Sequence, residues 1–422
     1  MWTRFWVVLG KFVSSIVRLR STGSAFPGRI VELFDRNFLK NILAQLPLGV
    51  AIITGTNGKT TTTKIVTALL EAHDLKVFTN PSGSNMTRGI ISSLLRRVQW
   101  NGKLDYDMAV LELDEAYSIQ FSRQVAPDYA LVLNLFRDQL DRYGEIDSTA
   151  KKLEEMISRV KTGLVLNRED PYVMRLNQSA QIEAVYFGLI SRIRLLIKND
   201  DELYSSSDLS FEYSPYAKCD LTDYRKGEIQ FNYLGENLRS KFQLIGIHNA
   251  LNAVAGWSLA SEILGDRFRL DLSLNALAKI KPAFGRGEIV HIQGVEVEIM
   301  LVKNPSGFRY ALQDDQSPQA QRMIVINDAF ADGRDVSWLW DVDFRPLIQV
   351  GVNIVSGVRA FDMAIRLLYD DVPIQRVIPE IATALNYALN NRTTLRIYCT
   401  YTAMLAVRRG LAKLIKLQAI EV

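Results

Sequence analysis

The sequence is organised around one glycine- and threonine-rich stretch, which reads Gly55-Thr56-Asn57-Gly58-Lys59-Thr60-Thr61-Thr62. An apolar run rich in β-branched residues, 49–54, precedes it and predicts a strand, and the helical spacing of apolar residues over 63–71 predicts a helix. Backbone N–H groups in a turn between a strand and a helix form a nest for phosphate oxygens. Lys59 would reach the terminal phosphates of a nucleotide, and Thr60 would bind magnesium.

This loop is the compact form of the nucleotide-binding pattern. Ile53 stands five residues before Gly58, where the general pattern has its first glycine. The alternative is a threonine-rich helix cap, but a cap has no need of Lys59 unless an anion is bound. The residues that we expect to bind the nucleotide are Gly55, Thr56, Asn57, Gly58, Lys59, Thr60 and Thr61.

Composition limits the classes to which the chain can belong. With 422 residues it exceeds what one core usually organises, so we expect two or three domains. The 50 basic and 46 acidic residues nearly balance, which argues against a dedicated nucleic-acid-binding protein. Cys219 and Cys399 exclude a disulfide framework, and with only three histidines they leave few ligands for a tetrahedral zinc site built from Cys and His alone. This cysteine usage fits a reducing cytoplasm.

The N-terminal residues 5–13 form an apolar run that resembles a signal sequence. Lys11 interrupts the run, Arg18 and Arg20 follow it, and no small-residue cleavage site comes after a long apolar core. The run is also too short to span a bilayer. We expect an amphipathic helix that either packs on the body of the protein or contacts a membrane surface.

Strands alternate with helices on both sides of the loop. A helix or two is predicted over 30–46, and a polar glycine loop, 81–89, leads into a helix at 90–97. Such alternation means a parallel sheet that is covered on both faces and binds ligands at the carboxyl ends of its strands. Further strands are predicted at 76–80, 108–115, 129–134 and 163–167.

Two changes of pattern subdivide the chain. Residues 191–237 lose helical periodicity and read as an inserted β-rich segment, after which a helix runs from 246 to 264. Residues 284–288 read as a hinge, and a second alternating unit follows. Its predicted strands are 295–302, 323–327, 348–356 and 396–401. The predicted domains are an N-terminal helical segment (1–45), a central domain (46–285) with an irregular insertion at about 191–237, and a C-terminal α/β domain (286–422).

Carboxylates follow the buried strand at 108–115. Glu112 stands where a magnesium ligand is needed, because the metal must bridge nucleotide phosphates and a protein oxygen. Asp114 and Glu115 are close alternatives, and a solvated strand end is the competing interpretation. The run 134–145 is dense in charged and amide groups, and composition alone leaves it open between a site and a surface loop.

The order of these motifs resembles the Mur ligase family, ATP-dependent enzymes that form an amide through an acyl phosphate. The motifs are residues 55–62, 111–115, 134–145, 247–253 and 285–288. A second set resembles the MurT branch of that family, the ligase subunits of lipid II isoglutaminyl synthase. This set consists of residues 303–308, 327–341, 356–362 and 400–405. The resemblance implies a P-loop central domain with a parallel sheet and a smaller Rossmann-like C-terminal α/β domain.

The resemblance also implies a reaction. ATP and ammonia would amidate the D-glutamate α-carboxylate of lipid II, and Lys59, Thr60, Mg²⁺ and Glu112 would neutralise charge on the transferring phosphoryl group. By family analogy, Asn85 and Asn252 line the nucleotide and metal region, and Arg286 lies on the hinge side.

Ammonia requires a separate source. A class I glutaminase needs a nucleophilic Cys and a His base, and this chain has no matching Cys/His motif. The resemblance implies a GatD-type glutaminase partner, whose histidine is oriented by a carboxylate from this chain. Asp335 is the predicted carboxylate and Asp341 the second choice. Helix capping by Asp335 is the competing interpretation.

Three departures from the family pattern bear on these expectations. Many MurT chains carry a four-cysteine zinc ribbon, but the corresponding region here keeps only Cys219, so we predict no structural zinc. Gln139 stands where other Mur ligases have a histidine, and Lys151 or Lys152 lies near the position of their carbamylated lysine. Too few residues precede the phosphate loop for the nucleotide-sugar domain of ordinary Mur ligases, which suits a lipid-linked substrate at the inner face of the membrane.

Two alternatives stay open from the sequence. One is another Mur-type ligase, similar to folylpolyglutamate synthase, that joins an amino acid without a partner. The other is a non-catalytic nucleotide-binding scaffold. The first predicts activity of the isolated chain with an amino acid, and the second predicts that loss of Lys59 leaves amidation unchanged.

Overall fold

A computed structural model describes residues 26–80, 86–136, 146–194, 216–225, 227–281, 286–292, 294–313, 315 and 318–413. Two compact units are formed by these residues. The first unit holds the described residues up to Phe136, those from 146 to Gln243, and His248–Ile280. The second holds Leu244–Ile247 and the described residues from Lys281 onward. The predicted N-terminal amphipathic segment lies outside the described residues.

The first unit is an alternating α/β structure, as predicted. Its helices are α1 (Phe26–Phe34), α2 (Phe38–Leu43), α3 (Lys59–Glu71), α4 (Thr87–Arg97), α5 (Glu115–Gln124), α6 (Ile146–Ile157), α7 (Pro171–Arg175), α8 (Ser191–Arg194), α9 (Ile247–Leu264) and α10 (Leu270–Lys279). Its strands are β1 (Val50–Thr54), β2 (Val77–Thr79), β3 (Met108–Glu112), β4 (Tyr129–Val132), β5 (Gly163–Asn167), β6 (Ala184–Leu189), β7 (Ala217–Arg225), β8 (Gly227–Tyr233) and β9 (Glu236–Phe242).

These strands form one sheet in the order β2-β3-β1-β4-β5-β6-β7-β8-β9. Strand β1 lies between β3 and β4 and is parallel to both, with Ile52 beside Leu111 and Ala130. Every residue of β1, β3 and β5 is buried, which is typical of a parallel sheet covered on both faces. The carboxyl ends of β1, β3 and β4 therefore meet at one edge of the sheet.

The segment predicted as an irregular insertion is regular in its described part. Strand β7 pairs parallel with β6, and β8 and β9 continue the sheet in antiparallel order. Aromatic packing stabilises this segment. The ring of Phe231 on β8 lies 4.9 Å from the ring of the fully buried Trp257, and the ring of Phe268 lies 5.1 Å from the same tryptophan. Lys218 Nζ also pairs with Glu262 Oε1 at 2.5 Å. Side-chain packing thus holds the segment to the sheet; its residues 195–215 lie outside the described residues.

The second unit is a smaller α/β structure with a six-stranded sheet in the order β10-β11-β15-β12-β13-β14. β10 and β11 are antiparallel, and the other neighbours are parallel. Its strands are β10 (Arg286–Ile292), β11 (Val295–Leu301), β12 (Gln321–Val325), β13 (Val352–Ser356), β14 (Ile374–Val377) and β15 (Leu395–Cys399). Its helices are α11 (Pro305–Gln313), α12 (Ala360–Tyr369), α13 (Ile381–Leu389) and α14 (Tyr401–Ala412).

Two strands of this sheet were not predicted. Residues 286–288 of the predicted hinge begin β10 instead, while 282–285 lie outside the described residues. The short edge strand β14 has no continuous apolar run, because Gln375 and Arg376 are exposed between its two ends. Edge strands of this kind carry little of the periodic signal that identifies buried strands.

Candidate functional site

Two glycines give the phosphate loop its backbone path between β1 and α3. Gly55 has φ +130° and Gly58 φ +89°, a region that residues with a side chain rarely adopt. Asn134, which follows β4, fixes the loop from outside. Its Oδ1 accepts from the Asn57 N–H at 2.8 Å, its Nδ2 donates to the Asn57 carbonyl at 3.1 Å, and its own carbonyl accepts from the Thr56 N–H at 3.0 Å. Asn134 begins the charged run 134–145, whose composition did not predict this role.

Lys59, the first residue of α3, is held inside the loop and is only 7% exposed. Its Nζ donates to the carbonyl of Gly55 at 2.6 Å and pairs with Asp114 Oδ1 at 3.1 Å and Glu115 Oε2 at 3.6 Å. Burial alone would lower the pKa of Lys59, but the carboxylates of Glu115, Asp114 and Glu112 outweigh it and raise this pKa above its ordinary value of 10.5. The ammonium therefore stays charged.

Thr60 and Glu112 are brought together at the end of β3. Thr60 Oγ1 donates to Glu112 Oε1 at 3.0 Å, and Glu112 is only 6% exposed. Asn80 fixes the backbone of Glu112 through two hydrogen bonds of 2.9 Å. One hydroxyl and one carboxylate fit Mg²⁺, which commonly takes few protein oxygens and completes its shell with phosphates and water. In the described part of the chain, no group of three or more His, Cys, Asp or Glu side chains is arranged to hold a metal ion.

Glu115 contacts Thr56 and Lys59 of the loop. Strand β3 ends at Glu112 rather than at 115 as predicted, and Glu115 is the first residue of α5. Its Oε1 accepts from Thr56 Oγ1 at 3.0 Å, while its other oxygen faces Lys59. These contacts suit a residue that positions the loop and its lysine; the weaker prediction that Glu115 binds metal stays a prediction.

The structure describes only some of the other residues that were predicted to line the nucleotide or the metal. Asn252, on α9, is buried and lies so close to Gly58 that a Cβ on that glycine would come 2.3 Å from Asn252 Oδ1. Arg286 begins β10 in the second unit. Lys151 and Lys152 lie on α6. Asn85 and Gln139 lie outside the described residues.

Asp335 lies two residues before a short 3₁₀ turn, Ser337–Asp341, in the second unit. It is exposed, and its Oδ1 accepts from the Ser337 N–H at 2.8 Å. That backbone hydrogen bond is the main reason that the pKa of Asp335 lies below its ordinary value of 3.8. Asp341, the second choice, ends the turn and is half-buried. The hydrogen bond from Ser337 leaves a charged Asp335 carboxylate at the surface.

The loop that carries Asp335 is anchored by a residue that sequence analysis did not single out. Asp332 is buried, with Oδ1 accepting from the Thr402 N–H at 2.7 Å and Oδ2 from the Ala329 N–H at 3.1 Å. Thr402 Oγ1 also donates to Asp332 Oδ2. Asn327 Oδ1 accepts from the Val358 N–H at 3.1 Å. The carboxyl ends of β12, β13 and β15 are joined in this way, and only their pairing in the sheet brings these residues together.

Both cysteines of the chain are fully buried. Burial raises the pKa of Cys219 well above its ordinary range, helped by the neighbouring Asp220. Burial also raises the pKa of Cys399, with a contribution from Asp332. A buried neutral thiol is a poor nucleophile. Among the helices of the described ranges, none combines the length and the apolar character that crossing a bilayer requires.

Comparison with known proteins adds family information to this geometry. Residues 53–260 match the Mur ligase middle domain, and residues 301–404 match the MurT ligase C-terminal domain. The "lipid II isoglutaminyl synthase (glutamine-hydrolyzing) subunit MurT" of Streptococcus pneumoniae is 29% identical, with 97% of each chain covered. The protein of the same name from Staphylococcus aureus strain COL is 30% identical over 84% of this chain and 85% of its own.

Solved structures agree on the fold. The MurF ligase of Thermotoga maritima, determined in complex with ADP, superposes with a TM-score of 0.66 at 18% identity. The superposition covers 89% of this chain and 82% of the MurF chain. The α/β fold predicted from the sequence, with a central and a C-terminal domain of the Mur ligase type, is confirmed.

Proposed function

This chain belongs to the MurT family of Mur ligases, and we propose that it is the ATP-dependent ligase subunit that amidates lipid II. The relatives named as lipid II isoglutaminyl synthase subunits support this substrate. In the proposed reaction, the D-glutamate α-carboxylate attacks the γ-phosphate of ATP, ADP leaves, and an acyl phosphate forms. Ammonia then attacks the acyl carbon, and phosphate leaves as the amide forms. A carboxylate needs this activation because its carbonyl carbon is a poor electrophile.

One observation carries the proposal, namely the charged and polar groups gathered at the phosphate loop. Lys59 provides a fixed positive charge. Beside it, Thr60 Oγ1 lies 3.0 Å from Glu112 Oε1. Phosphoryl transfer depends mainly on positioning and on stabilising the charge of the transferring group. Mg²⁺, held by Thr60 and Glu112, would supply a Lewis acid for the phosphate oxygens. Gly55 and Gly58, both with positive φ, give the segment between β1 and α3 the backbone path on which such loops bind phosphate.

The nitrogen would come from a second protein. The two buried cysteines make this chain unsuited to glutamine hydrolysis, which needs an accessible thiolate. A GatD-type class I glutaminase would supply ammonia, and Asp335 would orient the histidine of that enzyme and stabilise its imidazolium. The names of the MurT relatives, which describe subunits of a glutamine-hydrolysing synthase, support a partner of this kind. We place the reaction in the cytoplasm, at the inner face of the membrane where lipid II is amidated.

Substitution of Lys59 tests the ligase activity directly. With lipid II, ATP and ammonium chloride, Lys59→Ala should lower the rate of amidation about a hundredfold or more, because a charge at the transferring phosphoryl group is lost. Lys64→Ala, which removes an exposed lysine of the same helix, is the matched control and should keep the rate. Unchanged amidation in Lys59→Ala would favour a non-catalytic scaffold. Ligation of a free amino acid by the chain alone would favour the folylpolyglutamate synthase-like alternative.

A further inference from the structure

Helices α1, α2 and α4 cover the part of the first sheet that holds β1, β2 and β3. Val31 of α1, Phe38 of α2 and Ile90 of α4 are buried in one core together with Phe78 of β2 and Leu111 of β3. Helices that pack side by side on one sheet turn their remaining side chains outward. The exposed side chains of these three helices therefore lie on the outer side of a single layer.

Direct contacts hold this layer together. A Cβ on Gly28 would come 2.0 Å from the carbonyl oxygen of Arg88, so the backbones of α1 and α4 are in contact. Gln45, two residues after α2, donates from Nε2 to the Gly102 carbonyl at 3.0 Å and so joins α2 to the turn that follows α4. The outer sides of α1, α2, α4 and the turn 98–103 thus form one continuous surface, which is called the helical face below.

The helical face is strongly basic, although the chain as a whole is nearly balanced in charge. Residues 26–46 and 87–104 contain two acidic residues, Glu32 and Asp35. Asp35 is buried and Glu32 pairs with Arg88 at 2.6 Å, so neither offsets the remaining positive charges. The exposed basic side chains besides Arg88 are Arg29, Arg36, Lys40, Arg96, Arg97 and Lys103.

Large apolar side chains lie among these basic groups. Leu33 is 67% exposed, Phe34 60% and Trp100 63%. Arg29 precedes Leu33 by one helical turn, so charge and apolar surface lie on the same side of α1. Basic side chains interspersed with leucine and aromatic rings are typical of surfaces that insert shallowly among lipid headgroups, where tryptophan is enriched.

The chain that leads into α1 has the same character. Residues 1–25 lie outside the described residues, but they include the apolar run 5–13. Their sequence has no Asp or Glu, and its basic residues are Arg4, Lys11, Arg18 and Arg20. Because α1 begins at Phe26, this segment is covalently attached to the helical face.

We propose that the helical face docks the protein on a membrane surface that carries anionic lipids. The negative potential of such a surface attracts basic side chains, and apolar side chains that enter the headgroup layer add hydrophobic burial. The inference rests on the proposed function in one respect, namely that a lipid-linked substrate requires the enzyme to work at a membrane. Docking through this face holds the first unit, which contains the phosphate loop, at the membrane surface.

Cosedimentation of the full chain with lipid vesicles tests this docking surface. Wild-type protein should bind vesicles of phosphatidylglycerol and phosphatidylcholine in equal parts about tenfold more tightly than vesicles of phosphatidylcholine alone, and added salt should weaken the binding. The double variant Arg96→Glu, Arg97→Glu should bind the mixed vesicles about tenfold or more weakly, since two attractive charges become repulsive. Leu33→Ser should weaken binding about threefold or more, because it removes apolar area from the contact.

Matched variants elsewhere in the first unit control for net charge and hydrophobicity. The double variant Arg225→Glu, Lys241→Glu makes the same change of charge on β7 and β9, at the opposite end of the sheet from β2 and β3. Leu234→Ser removes a leucine that is 59% exposed on the turn between β8 and β9. Both controls should bind the mixed vesicles like the wild type, and circular dichroism should show a native fold for every variant.

Three results would each overturn the docking surface. The first is equal binding of the wild type to both kinds of vesicle, or binding to neither. The second is unchanged binding by the natively folded Arg96→Glu, Arg97→Glu and Leu33→Ser variants. The third is binding to duplex DNA as tight as to the mixed vesicles at the same salt concentration, which would assign the helical face to nucleic acid.

The proposed function is tested separately on lipid II dissolved in detergent, with ATP and ammonium chloride and no bilayer. The helical-face variants should keep the wild-type rate of amidation in detergent and lose it only when lipid II is embedded in mixed vesicles. Absence of vesicle binding, with amidation in detergent intact, would refute the docking surface alone. Failure of the wild type to amidate lipid II in detergent would contradict the ligase assignment whatever the vesicle data show.

Discussion

Gly58 is the residue on which the phosphate loop depends most closely. Its φ of +89° disfavours any side chain, and a Cβ would meet Asn252 Oδ1 at 2.3 Å. We expect Gly58→Ala to lower the free energy of unfolding by about 1–3 kcal/mol and to raise KM for ATP, because Asn252 must move. Urea unfolding and ATP kinetics measure the two effects.

The chain contains a matched control for this glycine. Gly235 also has φ +89°, but no atom lies within 4 Å of the position of its Cβ. Gly235→Ala should therefore lower the free energy of unfolding through its backbone conformation, without changing KM for ATP. Equal ATP kinetics for both variants would mean that the close contact with Asn252 has no part in nucleotide binding.

Asp335 is the residue whose charge should matter to the partner enzyme rather than to the fold. Asparagine can still accept from the Ser337 N–H, so Asp335→Asn should keep the turn and the unfolding midpoint. Glutaminase turnover of the complex should nevertheless fall about a hundredfold or more, because the imidazolium loses its counter-charge. Asp341→Asn is the companion variant. If only Asp341→Asn slows glutamine hydrolysis, the role belongs to Asp341.

The pKa of Asp335 sets the direction of its pH dependence. The Ser337 N–H lowers this pKa, so the charged form stabilises the turn above the unfolded-state pKa and this contribution is lost as pH falls through the folded-state value. Loss of glutaminase activity between pH 7 and pH 5 should therefore have another origin, and the Asp335→Asn complex should show the same midpoint in that range.

Strand β15 is tied to β12 by a buried ionic cluster around Asp315. This carboxylate accepts from Arg322 at 2.5 and 2.9 Å, from Arg396 Nη1 at 2.8 Å and from the Tyr398 hydroxyl at 2.8 Å. The side chains of Asp315 and Arg322 are 2% and 1% exposed. Burial, and then Asp315, raise the pKa of Tyr398 well above its ordinary range, so its hydroxyl keeps the proton that it donates.

Removal of the Asp315 charge should destabilise the second unit strongly. We expect Asp315→Asn to lower its free energy of unfolding by about 3–5 kcal/mol, because the buried Arg322 guanidinium loses its counter-charge. Arg396 keeps its pair with Glu298 at 2.7 Å. Asp105→Asn, which breaks the exposed pair with Lys76 in the first unit, should leave the unfolding midpoint unchanged. Urea titrations followed by circular dichroism compare the two. Similar midpoints for both variants would show that the cluster adds little to stability.

Whole elements were predicted well where their signal is local. Strands β1, β3 and β5 are continuous apolar runs, and α9 follows its periodicity from Ile247 to Leu264. The prediction was wrong for the end of β3, which stops at Glu112. For the insertion at about 191–237 its β-rich character is confirmed in the described part, but its irregularity was wrong. There, β7, β8 and β9 alternate buried residues with more accessible ones, but the register of β7 with β6 is a long-range property.

The molecule as a whole should lack an accessible thiol. Cys219 and Cys399 are fully buried and burial raises the pKa of each, so iodoacetamide at pH 8 should alkylate the native chain about a hundredfold more slowly than the chain unfolded in guanidinium. Mass spectrometry of the alkylated chain measures both rates. Rapid alkylation of the native chain, accompanied by glutamine hydrolysis without a partner, would contradict a division of labour between two proteins.

Asp335 became a candidate only through the family resemblance. The sequence by itself determined the strand–loop–helix around Lys59, the alternation of strands and helices, and the candidate carboxylate Glu112. These depend on residue type and short spacing, which a linear pattern contains. Only the tertiary structure decided that Asn134, 77 residues from Asn57, fixes the phosphate loop. It also decided that α1, α2 and α4 turn their exposed basic side chains to the outer side of one layer. Hydrogen bonds and exposed surface between distant segments arise from how the sheet brings those segments together, and no local pattern encodes them.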